Sequence, residues 1–333
     1  MASKEVMVGV DVSAQWLDVS RQRGTEVRAA RFANRAAGHR QLAQWVTKGG
    51  GRTRVVLEAT GTYSFDVAFA LHAHKRVSVM VANPRAVKQF RDAWLQRART
   101  DASSAEILCE FGQRMPFVAW QPPTPAALEL RALARRLGTV VALRTEELHR
   151  WHAARATQST PAAVLEDYRE HLCELTARAR RLRIQAQAVI AATPELASAG
   201  QHLRSLKGIG VTSTIYLLGE LATVAPGLDV RQWVALAGLD PRPIRSGTSV
   251  HPPVHISKMG NVYLRRALYM PALVAQRWNP VVRAYAQKLA ARGKPKLVVI
   301  VAVMRKLLHA IHGMLKTNSD FRPEKFYRMP DAA

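Results

Sequence analysis

Val6 to Val12 reads as a strand, followed by the alternating Trp16 to Arg21 and then by Glu26 to Phe32, which predicts three short strands at hairpin spacing. Helical periodicity runs from Ala37 to Val46. Arg54 to Leu57 is a β-branched strand ending at Glu58, Tyr63 to His74 is helical, and Val77 to Val81 is another buried strand. Asn83-Pro84 opens a basic helix through Gln96, and a second helix starts near Asp101 with Thr100 as its cap. Strands alternating with helices after an initial meander predict an α/β domain over residues 1–120, closed by the prolines between Pro116 and Pro125.

From Ala126 to about Ala192 the pattern changes to Ala, Leu, Arg and Glu with apolar residues three and four apart, interrupted near Ser159-Thr160-Pro161. Two long antiparallel helices, a coiled coil over residues 121–195, are expected. Their arginines, among them Arg131, Arg135, Arg144, Arg180, Arg181 and Arg183, have too few acidic partners at i+4 to be neutralised, which favours a groove for a polyanion over a merely solvated face. The remainder, 196–333, reads as a mainly helical unit. It holds a glycine hairpin, a loop rich in Pro, Arg and Ser, and amphipathic basic helices at Asn261 to Gln276 and Lys294 to Leu315.

Charge sharpens this picture. Lys and Arg number 49 against 24 Asp and Glu in 333 residues, a formal net charge of +25, while 48% hydrophobic residues suffice for real cores. Such a chain points to a polyanionic partner. Cys109 and Cys173 are too few and too far apart for a disulfide framework, so a reducing cytoplasm is expected. The apolar run Leu297 to Val303 is far short of the roughly 20 residues of a membrane span, and no membrane partner is expected. No second pair at zinc spacing accompanies His251 and His255. Trp94, Tyr263, Trp278 and Tyr285, at helical spacing, are read as core and given no base contact.

Two carboxylates stand at the ends of buried strands: Asp11 after an apolar run, and Glu58 just before Ala59-Thr60-Gly61-Thr62-Tyr63. Burying unpaired carboxylates costs several kcal/mol, about 2–4 or more, so two on one sheet call for a cation, and hard oxygen ligands suit Mg²⁺ or Mn²⁺. Asp101 could complete the cluster. Each acid taken singly also has a plain reading: Asp11 as a turn cap, Asp101 as a first-turn acid on the helix dipole, and Glu58 as the partner of a nearby arginine.

Gly9-Val10-Asp11-Val12-Ser13, Leu57-Glu58-Ala59-Thr60-Gly61-Thr62-Tyr63, Asn83-Pro84 and Arg99-Thr100-Asp101 together resemble the four-acid, RuvC-like (RNase H-like) N-terminal domain of insertion-sequence 110 family transposases and the related Piv-type DNA invertases. Ala235-Leu236-Ala237-Gly238-Leu239-Asp240-Pro241, Ser246-Gly247-Thr248-Ser249, Ile256-Ser257-Lys258-Met259-Gly260 and the stretch from Leu264 to Ala272 are similar to that family's C-terminal transposase domain. Nearly the whole chain is covered, in the family's order. One position departs: the fourth acid expected three residues after Asp101 is Ser104, a neutral and weaker ligand, while Glu106 is badly placed to replace it.

The resemblance implies a DNA recombinase in which Mg²⁺ or Mn²⁺ at Asp11, Glu58 and Asp101, with Ser104 weakly at the fourth place, works with Ser246 as nucleophile. Ser249 and Ser257 are alternatives on sequence grounds alone. Arg242, Arg245 and Lys258 are candidates to offset charge on the phosphate, and Arg265 and Arg266 to bind nucleic acid. Leu206-Lys207-Gly208-Ile209-Gly210 before the helix from Val211 to Leu221 is similar to a helix-hairpin-helix. There Gly208 and Gly210 admit a phosphate and Lys207 adds charge. The implied partners are target and donor DNA, a noncoding bridge RNA, and further copies of the chain in a homo-tetramer built as a dimer of dimers. The implied place is the bacterial cytoplasm. Two other readings stay open: a RuvC-like nuclease in which water attacks, and a nucleic-acid-binding protein weakened or silenced by Ser104.

Overall fold

The computed structural model describes residues 5–59, 61, 63–94, 101–243 and 254–328, with the side chains at 101 and 102 left out. Two compact units result, Met1–Pro122 and Pro123–Ala333, the first a mixed α/β sheet domain and the second almost entirely helical.

β1 (Val6–Val12), β2 (Trp16–Arg23) and β3 (Glu26–Ala33) form the expected meander. β4 (Thr53–Glu58) and β5 (Val77–Ala82) then join β1 in parallel, and the order across the sheet is β3-β2-β1-β4-β5. Period-two alternation sends Val6, Val8, Val10, Leu17, Val19, Val55 and Leu57 to one face, which packs on α1 (Ala36–Thr47) and α2 (Tyr63–His72) through Leu42, Val46, Val67 and Leu71. Met7, Val56 and Ala82 face the other way, against α3 (Pro84–Ala93) and α4 (Asp101–Arg114). Both faces of the central strand are therefore buried, which explains why β1 is apolar at almost every position.

α4 lies unusually close to the sheet. A Cβ at Gly9 would run into the Ala105 carbonyl oxygen and come within 2.5 Å of the Cys109 nitrogen, and one at Gly112 would meet Val56 and the Met7 sulfur at 2.5 and 2.8 Å. Since Gly9 sits under Ala105 and Met7 under Gly112, α4 runs opposite to β1, and its first turn lies over the carboxyl end of that strand. α3 starts as expected, with the Asn83 side chain accepting from the Arg85 amide, and extends to Ala93. The expected cap Thr100 lies outside the described residues.

In the second unit α5 (Pro125–Arg155) and α6 (Ala162–Ala192) are the two long helices, joined by a short turn that makes them antiparallel neighbours. Leu130, Ala134 and Leu137 of α5 and Ala186 of α6 share one core with the helices that follow. These are α7 (Pro194–Ser205), α8 (Val211–Leu221), α9 (Val230–Leu236), α10 (Val262–Trp278), α11 (Pro280–Ala291), α12 (Lys296–Thr317) and the short α13 (Pro323–Phe326). A two-residue hairpin, β6 (Pro241–Arg242) with β7 (His255–Ile256), stands between α9 and α10. Asn279 ends α10 and caps α11, accepting from the amides of Val281 and Val282. By length and composition α12 is long and apolar enough to cross a membrane, more so than its short apolar run suggested; its stripe Val299, Val303, Leu307, Leu308 and Ile311 belongs to the helical core.

Candidate active-site residues

Register assembles the acids of the first unit. In the antiparallel β1–β2 pair Asp11 stands opposite Asp18, and Asp18 in turn stands opposite Arg31 of β3. In the parallel β1–β4 pair Val10 is beside Leu57, so the next residues, Asp11 and Glu58, end neighbouring strands side by side. Strand alternation puts Asp11, Asp18 and Glu58 on the face covered by α4, because the residues between them belong to the opposite cluster.

Like charges facing across a sheet are destabilising, and each acid here is handled differently. Asp18, nearly buried, takes the Arg31 Nε at 2.8 Å. Burial pushes the Glu58 carboxyl above the usual carboxylate range; the Arg91 guanidinium on α3 pulls it back in part, and the charge of Asp11 pushes it further up. Arg91 is thus the nearby arginine that the plain reading of Glu58 called for, and it does not cancel the rise. Two hard oxygen donors that repel one another in a partly dry place are the chemistry that a divalent cation relieves, and the donor set fits Mg²⁺ or Mn²⁺. Among the described residues no group of three or more His, Cys, Asp or Glu gathers at metal-holding distance. The Asp101 side chain lies outside that set; position 101 is the first residue of α4, one turn before Ala105, at the end of the helix that overlies the carboxyl end of β1. Ser104 is half-buried in that same first turn, whereas Glu106 is exposed.

In the second unit Ser246, with Arg245 and Ser249, lies outside the described residues, but the foot of its loop is described. Gly238, at φ 63°, has no room for a side chain: a Cβ would meet the Gly260 nitrogen and the Arg265 guanidinium, both at 2.8 Å. Arg265 donates to the Ala237 carbonyl at 3.0 Å, so its guanidinium braces the loop's foot. The Ser257 hydroxyl donates to Asp240 Oδ1 at 2.5 Å while its amide donates to the Asp240 carbonyl, which makes Ser257 an anchor of the hairpin. Arg242, Lys258 and Arg266 are exposed, and Lys258 holds a left-handed φ of 54°. Below this foot the buried Glu220 of α8 accepts two bonds from Arg135 of α5, at 2.7 and 2.9 Å, and one from Asn261 at 2.6 Å. Asn261 also caps α10. One buried carboxylate therefore ties a long helix to the return from the serine loop.

The two glycines before α8 differ. A Cβ at Gly208 would sit 2.8–2.9 Å from Ala275 of α10, so Gly208 admits a neighbouring helix, not a phosphate. Gly210, at the N-terminus of α8, has open space before it, and Lys207 is exposed. Asp18, Arg91 and Glu220 escaped the sequence reading. Asp18 sits between Leu17 and Val19 in an alternating strand and looks like a solvent-facing residue until register is known.

Comparison with known proteins adds an independent line. The model for the DEDD domain of IS110 transposases matches residues 8–154, and the model described as transposase IS116/IS110/IS902 family matches residues 200–287. The chain is 26% identical over 320 residues to the pilin gene-inverting protein of Moraxella bovis, covering 94% of this chain and 97% of the relative. The protein of the same name from Moraxella lacunata is 25% identical over the same shares. An insertion element IS110 protein of 43.6 kDa from Streptomyces coelicolor, uncharacterized, is 28% identical over 151 residues, 45% of this chain and 35% of its own length.

Proposed function

This chain belongs to the IS110 family of transposases, and from that premise we propose that it cuts and rejoins DNA through Ser246 as nucleophile. The observation that carries this reading is the side-by-side placement of Asp11 and Glu58 at the ends of parallel strands, under the first turn of α4. Asp11, Glu58 and Asp101 would hold Mg²⁺ or Mn²⁺, with Ser104 as a neutral fourth donor. A bound divalent cation supplies positive charge for the phosphate oxygens and lowers the cost of forming an alkoxide.

The chain's own residues do the rest. As the Ser246 Oγ forms a bond to phosphorus, one P–O bond of the DNA strand breaks, and the departing oxygen leaves as a hydroxyl with a proton in place of the one Ser246 gives up. The phosphodiester energy is kept in the phosphoserine, so a second DNA hydroxyl can displace the serine and rejoin the strand. Arg242, Arg245 and Lys258 offset the charge gathered on the phosphate. The turn before α8, read as a helix-hairpin-helix with Lys207 and the open Gly210, holds a DNA phosphate away from the reacting centre. The arginines of α5 and α6, the coiled-coil pair, bind a bridge RNA by its phosphates, and base pairing chooses the sites. Four strand events require a tetramer, a dimer of dimers joined through the long helices, acting in the bacterial cytoplasm.

The test is trapping. With supercoiled two-site DNA, the flanking noncoding RNA and Mg²⁺, wild type gives a covalent protein–DNA adduct mapping to Ser246 by mass spectrometry, and Ser246→Ala gives none. Cleavage without an adduct overturns the serine mechanism in favour of water as nucleophile. One observation favours the weakened-enzyme reading: Ser104 occupies the first turn of α4 above Asp11, where a carboxylate would complete the site. On that reading wild type is slow or silent and Ser104→Asp gains activity.

A further inference from the structure

From Pro241 to Ser319 the chain carries 14 Lys and Arg and not one Asp or Glu. A run with no internal neutralisation projects a positive field over whatever it folds into. α10 lies inside this run and is separated from β7 by five residues, after the segment bearing Ser246. Its inner stripe, including Leu264, Ala267, Leu268, Ala272 and Ala275, is core. Its outer stripe is not the polar face expected opposite a core. Tyr263 and Tyr269 are 43% and 39% exposed, Met270 is 57% exposed, and the exposed Arg266 and Arg277 lie among them. The steps from 263 to 266, 269, 270 and 277 keep these groups on the side of the helix opposite its inner stripe, whereas Trp278, seven residues after the buried Pro271, ends the helix off that side. A guanidinium already stacks on one of the rings: Arg135 lies 4.2 Å from the centre of Tyr263.

A face meant for a protein core has no use for arginines, and a solvated face has none for two tyrosines and a methionine. Single-stranded nucleic acid uses both, since bases stack on rings and phosphates pair with guanidiniums. We infer that the outer face of α10, the helix that follows the Ser246 segment in the chain, binds unpaired DNA bases. The choice of DNA rests on the recombinase reading, because the strand to be exchanged is the one opened beside Ser246. Tyr263, read from sequence as core, is therefore assigned to a surface.

Binding of the full chain to a labelled single-stranded DNA, its duplex and the same sequence in RNA, without Mg²⁺, tests this. Tyr263→Ala combined with Tyr269→Ala is expected to weaken single-stranded DNA binding roughly 10- to 100-fold and duplex binding less than about 2-fold. Tyr263→Phe with Tyr269→Phe keeps the rings and is expected to bind like wild type, which separates stacking from misfolding. Arg266→Ala with Arg277→Ala is expected to weaken both ligands and to reduce the salt slope by about two contacts. Equal losses for duplex and single strand, no loss, a larger loss for RNA than for DNA, or an altered oligomeric state with DNA affinity intact would each overturn the inference. Failure of the recombinase reading shows instead as a missing Ser246 adduct, which this binding measurement does not use.

Discussion

Two glutamates, the half-buried Glu58 of the sheet unit and the buried Glu220 of the helical unit, show how the same side chain is put to opposite uses. Glu220 is met by a two-pronged arginine and an amide, so its negative charge is fully engaged and holds helices together. Glu58 has Asp11 for a neighbour, and with the Arg91 guanidinium nearby its carboxyl is still held above the usual range. A carboxylate gripped by a guanidinium and an amide is a brace, while a carboxyl held above its usual range beside a second acid is suited to a cation. The same contrast separates the units as wholes: the sheet gathers Asp11, Asp18 and Glu58 on one face, and the helical unit excludes acids from Pro241 to Ser319.

Substitutions sharpen the contrast. The largest expected effect is on chemistry: Asp11→Asn lowers strand cleavage at least roughly 100-fold with the circular dichroism spectrum unchanged. Next is the brace. Glu220→Ala leaves Arg135 and Asn261 without their shared partner and costs about 3 kcal/mol, read as a lower urea midpoint of the helical unit. Gly9→Ala forces α4 off the sheet and is expected to cost about 2 kcal/mol in the sheet unit, because the new Cβ meets helix backbone that cannot step aside. The smallest effect has the sign that breaks or supports the comparison. Since folding raises the Glu58 pKa, its charged form costs stability above that pKa, and the cost disappears as pH falls through it. Glu58→Gln therefore melts slightly higher than wild type at neutral pH without metal, matches it in acid, and loses the stabilisation that Mn²⁺ gives wild type. A lower melting temperature at neutral pH would make Glu58 a brace like Glu220.

Strands were legible because period two is a local signal, and Asp11 and Glu58 stood out because they end apolar runs. Asp18 was not legible, since its meaning lies in the register that sets it opposite Asp11. Gly208 misled for a similar reason: its missing side chain makes room for Ala275, 67 positions further on. α11 lies between the two basic helices that the pattern singled out, and in the folded chain Pro280 is its first residue, after the cap Asn279. Aromatic spacing on α10 gave the right helix but not its outward face, which depends on what packs against the inner one.

The central claim is that the acids of the sheet unit and Ser246 of the helical unit serve one reaction. The direct measurement is the rate of Ser246–DNA adduct formation in Asp11→Asn and Glu58→Gln, with DNA binding monitored in parallel. The account expects the adduct rate to fall at least roughly 100-fold while binding is retained. Adduct formation at the wild-type rate in either variant would contradict it.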